Sequence, residues 1–587
     1  DCGAIGDIFK GHKYKPTMAA ASASAVLAGT DLACGNEYRS LTEAVKQGII
    51  PESAIDKSLI RLFVARIRLG MFDPPDRVPS SKLTMADVDT QAHRELALEA
   101  ARESIVLLKN ERHALPLSST LKRIAVLGPT ADDPDVLLGN YNGIPSRLIT
   151  PLDGIKKELA GKASVEFALG STYTPGWTAL VPASVLMATT NQRGLQAEYF
   201  DNANLAGNPV VTRIDEHGYF IWDMHDEAVT PKLARDGFSI RWTGSLRVTQ
   251  PGEYALGFTR LRCADCKGND SADLYLDGKP VVQDERHVSW QPRSETSTVR
   301  LDAGKNYKVR LEYRQNGGAA GLEFVWIPPA EALLKEAEET IRRADVAIVC
   351  VGLNSDLEGE ESKVNIPGFE GGDRTDIGLP TPQEKLLDVA YASGKPVVVV
   401  LLNGSALAAV SVKEKASAIL EAWYPGQDGG TAIAETLVGD NNPSGRLPVT
   451  FYESASQLPP FTDYSMHGRT YRYFTSAPLY PFGYGLSYSD FQYSELSVKG
   501  NRITARVKNA SSRDGDEVAQ LYTTPANSTS GLIRQLRGFE RVHLKAGEAR
   551  TLTFALPANS GEIRKISVGG GQPIPGWPGV HYVETLH

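Results

Sequence analysis

The sequence predicts a multidomain α/β-plus-β architecture, on three observations. Short, continuously apolar runs alternate with helical stretches in two separated parts of the chain, as at Ile124-Ala125-Val126-Leu127 and Val346 to Gly352. Between those parts, and again from about residue 490, the pattern changes to period-two alternation broken by Gly- and Asp-rich turns. The length, 587 residues, exceeds what one core accommodates and suits about three to five domains.

In chain order, the first segment is helical. Met18 to Leu27, Leu41 to Gln47 and Ser53 to Leu69 carry Ala and Leu at helical spacing, and Gly70 with Pro74-Pro75 supplies a stop. Helices of this size cannot bury a domain-sized core alone. The opening Asp1-Cys2-Gly3-Ala4-Ile5 has neither Met nor a leader pattern, so the chain reads as starting mid-domain.

The layered pattern follows. Glu95 to Ser104 and Leu152 to Leu159 read as helices around the strand at Ile124. After the interruption, Glu331 to Ala344 is helical, and Val346 to Gly352, Val397 to Leu402 and Ala418 to Trp423 read as strands of a parallel sheet covered on both faces. Leu195 to Phe200, Phe238 to Trp242, Tyr254 to Phe258 and Tyr307 to Tyr313 alternate and predict an inserted β-sandwich of about 140–150 residues. Arg502 to Val507 and Arg550 to Phe554 predict a second, smaller one.

Composition excludes several functions. Hydrophobic residues make up 42% and charged residues 22%, ordinary for a globular protein. A net charge of −8 argues against a nucleic-acid partner, which needs clustered positive charge. No apolar run approaches the roughly 18 residues of a membrane span, so no membrane partner is expected. The five cysteines are odd in number and only Cys263 and Cys266 are close, so no disulfide framework is expected and the compartment stays open. Cys263-Ala264-Asp265-Cys266 alone is poor evidence for zinc; a local disulfide or two free thiols fits better. Gly128-Pro129-Thr130-Ala131 lacks the dinucleotide fingerprint. No cofactor and no metal are expected.

An ordered set of local motifs goes further. Asp1-Cys2-Gly3-Ala4 resembles the nucleophile segment of glycoside hydrolase family 3, and Gly29-Thr30-Asp31-Leu32, Arg61-Leu62-Phe63 and Leu69-Gly70-Met71-Phe72 resemble the end of that family's catalytic barrel. Glu103 to Asn110 with Leu115-Pro116-Leu117 resembles the start of its α/β sandwich. Gly372-Asp373-Arg374 with Leu379-Pro380 and Gln383, then Trp423 to Gln427 and Ser444 to Pro448, resemble its later parts. Pro481 to Tyr488 resembles the entry to a fibronectin type III-like domain, and Ala197 to Phe200 with Leu274 to Gly278 resembles a protective-antigen-type sandwich. The resemblance implies a barrel remnant over residues 1–75 and an α/β sandwich over 76–185 and 330–460. It further implies the insert over 186–329, a linker over 461–489 and the fibronectin-like domain over 490–587.

It also implies a retaining exo-β-glycosidase acting on terminal β-D-glucosyl residues of cellobiose-like oligosaccharides, with β-xylosides as a further or main substrate. The glucosyl reading rests on the insert; Cys2 and the Glu358-Gly359-Glu360 loop lean toward xylose. Cleavage passes through an oxocarbenium-like state that needs an anion on one face of the ring and a proton donor at the leaving oxygen, roughly 5–5.5 Å apart. The family places the nucleophile on Asp1, against the bland reading of a frayed terminal residue. The acid/base falls on the loop after Val346–Gly352. A Glu-Ala-Glu-Gly pattern before Asp-Arg points to Glu360, with Glu358 as runner-up and Glu361 and Glu370 behind, because Lys363 to Gly371 intervenes where the family has a few residues. A solvated acidic loop is the bland reading. Crowded acids would raise one Glu pKa and keep it protonated.

Three further residues are candidate substrate contacts. Asp31 suits sugar hydroxyls or a helix cap. Tyr141 sits in the turn Asn140-Tyr141-Asn142-Gly143. Arg469 leads Thr470-Tyr471-Arg472-Tyr473, whose aromatics suit sugar stacking or a domain interface. Trp242 and Trp290 suit core or sugar platform equally. The insert lacks the adjacent Asp pair expected for calcium near Asn269-Asp270-Ser271. Carbohydrate binding, walling of the site and pairing into a homodimer all remain open for it. Two rivals stand: a non-catalytic carbohydrate-binding protein on the same scaffold, distinguished by loss of activity, and an N-acetylhexosaminidase, disfavoured because its acid/base lies on the barrel. The resemblance suggests a secreted or periplasmic protein.

Overall fold

The computed structural model describes residues 2–587 except 144, 222–231, 234–236, 261–269, 286–292, 318–320, 361, 464, 529–530 and 558–559. It divides into two compact units, Asp1–Thr90 and Gln91–His587.

The first unit is helical: Ala4–Phe9, Met18–Ala28, Leu41–Lys46 and Glu52–Arg68. Thr17 caps the second helix by accepting the Ala20 N–H at 3.1 Å, and Gly29 at φ 106 ends it. Its core is small, drawn from Ala19, Ala23, Val26, Leu41, Ala44 and Ile50. Along Glu52–Arg68 only Ser58 is buried, and Ile60 and Ile67 stay exposed. A disulfide joins Cys2 to Cys34, a pairing the sequence reading did not expect, since it looked for a bridge only at the sequence-adjacent Cys263 and Cys266. Proximity in sequence was the wrong criterion: the chain folds back, Gly3 N–H donates to Cys34 O at 3.0 Å, and the two Cα atoms come within 4.4 Å. Cys263 and Cys266 lie outside the described residues.

The second unit holds the layered sheet. Its six strands run in the order Val106–Asn110, Ala418–Glu421, Val397–Leu402, Val346–Gly352, Arg123–Leu127, Ser164–Ala168, parallel except for the first pair. Continuous apolar strands follow from burial on both faces. Ala347, Val349 and Val351 enter one core with Ala337 and Ile341 of helix Ala330–Arg343 and Leu386, Leu387 and Ala390 of helix Thr381–Ala392. Val346, Ile348 and Cys350 enter the other, with Ala101 of Gln91–Ser104, Leu152 and Ile155 of Pro151–Glu158, and Ile433 and Leu437 of Gly429–Val438. The edge strand Ser164–Ala168 is half-exposed and shows no such apolar run.

Two antiparallel sheets, of eight and five strands, lie between the halves, with pairing that begins at Ala179–Leu180 and ends at Gly321–Ile327. Their shared core includes Trp242, fully buried, which settles that residue as core. Its indole N–H and the Tyr199 hydroxyl both donate to the buried Asp215 at 2.9 Å. Trp290 is outside the described residues. The C-terminal part is a sandwich of three- and four-stranded sheets from Phe491–Lys499 to Tyr582–Leu586 around Ile503, Val507, Leu521 and Val568. Arg446 ties it to the layered sheet through a buried ion pair with Glu517 at 3.0 Å. Among the described residues no helix is long and apolar enough to cross a membrane.

Candidate active site

In the six-stranded sheet the winding reverses between Arg123–Leu127 and Val346–Gly352. The loops leaving the carboxyl ends of these two strands therefore splay apart and open a crevice, the usual ligand position in such sheets. Gln383 braces the end of Val346–Gly352: its Oε1 accepts Gly352 N–H at 2.7 Å, and its Nε2 donates to Gly352 O at 2.8 Å and Tyr173 O at 3.0 Å.

The loop that follows alternates between inside and outside. Asn354 Oδ1 accepts Leu357 N–H at 3.0 Å, closing a turn that buries Leu357 completely. Glu358 is half-buried, Gly359 buried and Glu360 exposed. Both oxygens of Glu358 are engaged. Oε1 accepts the Ser405 hydroxyl, and Oε2 accepts the Tyr424 hydroxyl at 2.6 Å and Gly404 N–H at 3.2 Å. The Arg374 guanidinium donates to Ser405 Oγ at 3.1 Å, so a cation backs the same carboxylate. Burial pulls the Arg374 guanidinium down, with Glu358 opposing, and burial followed by the Glu358 charge drives the Tyr424 hydroxyl up.

The stretch from Lys363 to Gly371, which sets this loop apart from the pattern the resemblance implied, and the residues just after it fold as a small ribbon, Asn365–Ile366, Phe369–Glu370 and Asp373–Arg374. It leaves toward solvent and returns, delivering Arg374 to Ser405. Glu370 is exposed on the ribbon, and Glu361 lies outside the described residues.

The remaining sequence-predicted residues separate. Tyr141 donates its hydroxyl to Glu360 Oε2, and the neighbouring Asn140 donates to Glu358 O at 3.1 Å. Asp31 forms a two-point ion pair with Arg61, at 2.7 Å to Nε, rather than capping a helix, and that hydrogen bonding lowers its pKa. Arg469 donates to Pro460 O at 2.8 Å and Asp463 O at 3.2 Å, tying its own loop together. Tyr471 stacks on Phe482 at 4.2 Å and accepts Leu536 N–H at 3.2 Å, so it seals a contact with the C-terminal sandwich. Asp1 lies outside the described residues.

Sequence reading missed Ser405 and the role of Tyr424, which it treated only as part of a domain end. It also missed an acidic seam between the layered sheet and the insert. There a cavity of about 470 Å³ is lined by Asp133, Asp135, Tyr173, Trp177, Glu323 and Asn354. Tyr173 donates to Asp133 at 2.6 Å and Tyr219 to Asp135 at 3.0 Å. Burial first, then mutual repulsion, pushes Asp135 up to about 7; burial, opposed by the Tyr173 hydrogen bond, pushes Asp133 up to about 6. Among the described residues no group of three or more His, Cys, Asp or Glu side chains is placed to hold a metal ion.

Two families match this chain: the glycosyl hydrolase family 3 C-terminal domain over residues 105–488 and the fibronectin type III-like domain over residues 517–563. A xylan 1,4-beta-xylosidase of Xylanibacter ruminicola is 36% identical over 577 residues, 96% of this chain and 65% of that protein. A periplasmic beta-glucosidase of Salmonella typhimurium is 28% identical over 95% of this chain and 57% of its own length. The chain thus spans about three-fifths of the length of these relatives. A beta-glucosidase structure from Kluyveromyces marxianus in complex with glucose shares the fold at a TM-score of 0.63 and 22% identity, covering 96% of this chain and 71% of that one. A β-glucosidase structure from Erythrobacter marinus gives 0.60 at 25% identity, covering all of this chain and 62% of that one.

Proposed function

The chain belongs to glycosyl hydrolase family 3, and from that premise we propose that it acts as a retaining exo-β-glycosidase on terminal β-D-glucosyl and β-D-xylosyl residues. Asp1 is the nucleophile and Glu360 the acid/base. In the first half-reaction Glu360 gives its proton to the glycosidic oxygen as Asp1 bonds to the anomeric carbon and the aglycone leaves. In the second, Glu360 takes a proton from water, which attacks the same carbon and frees Asp1.

The observation that carries the choice of acid/base is the contrast between two neighbouring carboxylates. Glu358 has both oxygens filled by Ser405, Tyr424 and Gly404, while Glu360 is exposed at the tip of the loop. A proton donor must reach a sugar oxygen, and a carboxylate saturated by protein donors is badly placed to do so. Replacing Glu360 by Ala should remove hydrolysis of unactivated substrates, and azide should partly restore it with activated ones. Rescue in Glu358→Ala instead would move the role to Glu358.

Preference between the two sugars has a separate test. The insert favours glucose, whereas the 36% identity to a xylan 1,4-beta-xylosidase over 96% of the chain favours xylose as the main substrate. Comparing kcat/KM for nitrophenyl β-glucoside and β-xyloside decides between them. The Cys2–Cys34 disulfide suits an oxidising compartment, and together with the periplasmic relative it supports a secreted or periplasmic location.

A further inference from the structure

We propose that Tyr141 is a positioning residue for the acid/base: its hydroxyl holds one oxygen of Glu360 and leaves the other as the atom that gives and takes the proton. The inference rests on the assignment of Glu360 above.

The hydroxyl of Tyr141 donates to Glu360 Oε2 across 219 positions of sequence. The same short loop makes a second bond: Asn140 Nδ2 donates to Glu358 O at 3.1 Å. One side-chain bond and one backbone bond from consecutive residues fix the acid/base loop at two points, one on each side of Gly359. The backbone at Tyr141 is left-handed, at φ 58, a conformation a tyrosine rarely adopts. The residue is 81% exposed, so core packing does not account for its presence there. The bond from its hydroxyl to Glu360 is therefore a contact that core packing does not explain.

That hydroxyl suits both half-reactions. A phenol can donate to either state of a carboxyl group, but it binds the anion more strongly. With Oε2 occupied, the proton resides on Oε1. After transfer, the same bond stabilises the carboxylate that must then accept a proton from water. The charged or titratable groups on or against the loop include Asp356, Glu358 and Lys363 along it, Arg374 and Tyr424 around Glu358, Asp376 beside Arg374, and the buried Glu421 behind them. Tyr424 bonds Glu358 directly and Arg374 reaches it through Ser405, whereas Tyr141 bonds Glu360, so the substitution below reads a bond separate from theirs.

The test is Tyr141→Phe in the full chain, read through pH profiles with nitrophenyl glycosides. Loss of the donor should lower kcat about 5–20-fold, leave KM within about twofold, and move the basic limb of kcat/KM upward by about half to one pH unit. In a Glu360→Gln background the second substitution should add nothing. A superimposable pH profile, or a raised KM with unchanged kcat, would overturn the inference and return Tyr141 to the role of a sugar contact. Retained activity in Glu360→Gln would instead sink the acid/base assignment. Titrating glutamate Cδ by ¹³C NMR reads the same bond without substrate, and an unmoved Glu360 resonance in Tyr141→Phe would overturn the inference in an inactive preparation.

Discussion

Tyr424 and Glu358 meet at 2.6 Å, hydroxyl to carboxylate, at the base of the loop proposed to carry the acid/base. The two come from different strand ends of the layered sheet, so their bond pins the loop after Val346–Gly352 to the turn after Ala418–Glu421. Removing the hydroxyl in Tyr424→Phe strips Glu358 of a half-buried donor, leaving less to offset its repulsion with Glu421, whose carboxyl burial already drives up. Hydrogen bonds to charged groups contribute about 1.5–3 kcal/mol. Thermal unfolding of the variant should fall by a few degrees, and kcat by about tenfold as the loop loosens. Unchanged values for both would show that Ser405 and Gly404 hold Glu358 unaided.

The ribbon makes a sharper demand at one glycine. Gly372 sits at φ +88, and a Cβ there would lie 1.7 Å from Gly359 O, between Glu358 and the proposed acid/base Glu360. Gly371, at φ +63, has room: the nearest atom to its Cβ would be Ser362 O at 3.8 Å. Both alanine variants incur the left-handed backbone cost, about 1 kcal/mol. Only Gly372→Ala adds the collision, so it should lose at least tenfold in kcat while Gly371→Ala stays within about threefold. Equal losses would assign the whole effect to backbone conformation.

Much of this was legible in the sequence, and the division has a physical basis. Strands such as Val346–Gly352 and Val397–Leu402 declare themselves because both faces are buried, leaving seven and six apolar or small residues in a row. Helix Glu52–Arg68 is followed by its stop at Gly70, at φ 71. Contacts between distant segments leave no such trace. Nothing local at Ser405 says that it stands between Arg374 and Glu358, and Tyr141 reads as a turn residue, which its backbone also is. Cys2 and Cys34 pair only because the chain reverses between them.

The seam between the layered sheet and the insert should respond to pH. Folding raises Asp135 to about 7 and Asp133 to about 6, chiefly through burial, so the folded state holds protons there that the unfolded state releases near 4. Stability from these groups is therefore present at low pH and lost as pH rises through about 6–7. His217 behaves likewise in a higher window. Burial pulls its imidazole down, but Asp132 at 3.5 Å prevails and brings it up to about 9, so its contribution fades between about pH 6.5 and 9. In Asp135→Asn the penalty for ionising a buried carboxyl disappears. Relative to the parent, that variant should gain about 1–2 kcal/mol between pH 5 and 8, measured by denaturant unfolding at each pH. In His217→Gln the deficit should instead shrink from pH 6.5 to 9. Parallel stability curves for parent and variants would show that these groups do not govern the seam.

The disulfide carries a prediction of another kind, because the first unit has so little else. Among the described residues its core cluster has six buried apolar side chains, three of them alanines, and Glu52–Arg68 adds only the partly buried Ala54 and Ile55, so hydrophobic burial supplies a modest share of its stability. Closing a loop between cysteines 32 positions apart removes chain entropy from the unfolded state worth about 3–4 kcal/mol. That is a large fraction of what so small a core provides. Cys34→Ser isolates the bond from whatever Cys263 and Cys266 do under reducing agents, and Cys350, buried with its thiol pushed up to about 12, gives no competing partner. Hydrogen exchange read by mass spectrometry should show Ala4–Phe9 and Met18–Ala28 losing protection by at least tenfold in Cys34→Ser. Peptides from Val346–Gly352 and Val397–Leu402 should exchange as in the parent. If the first two helices keep their protection, the helical packing around Ala23 and Ala44 suffices, and the bond is an accessory rather than the staple of that unit.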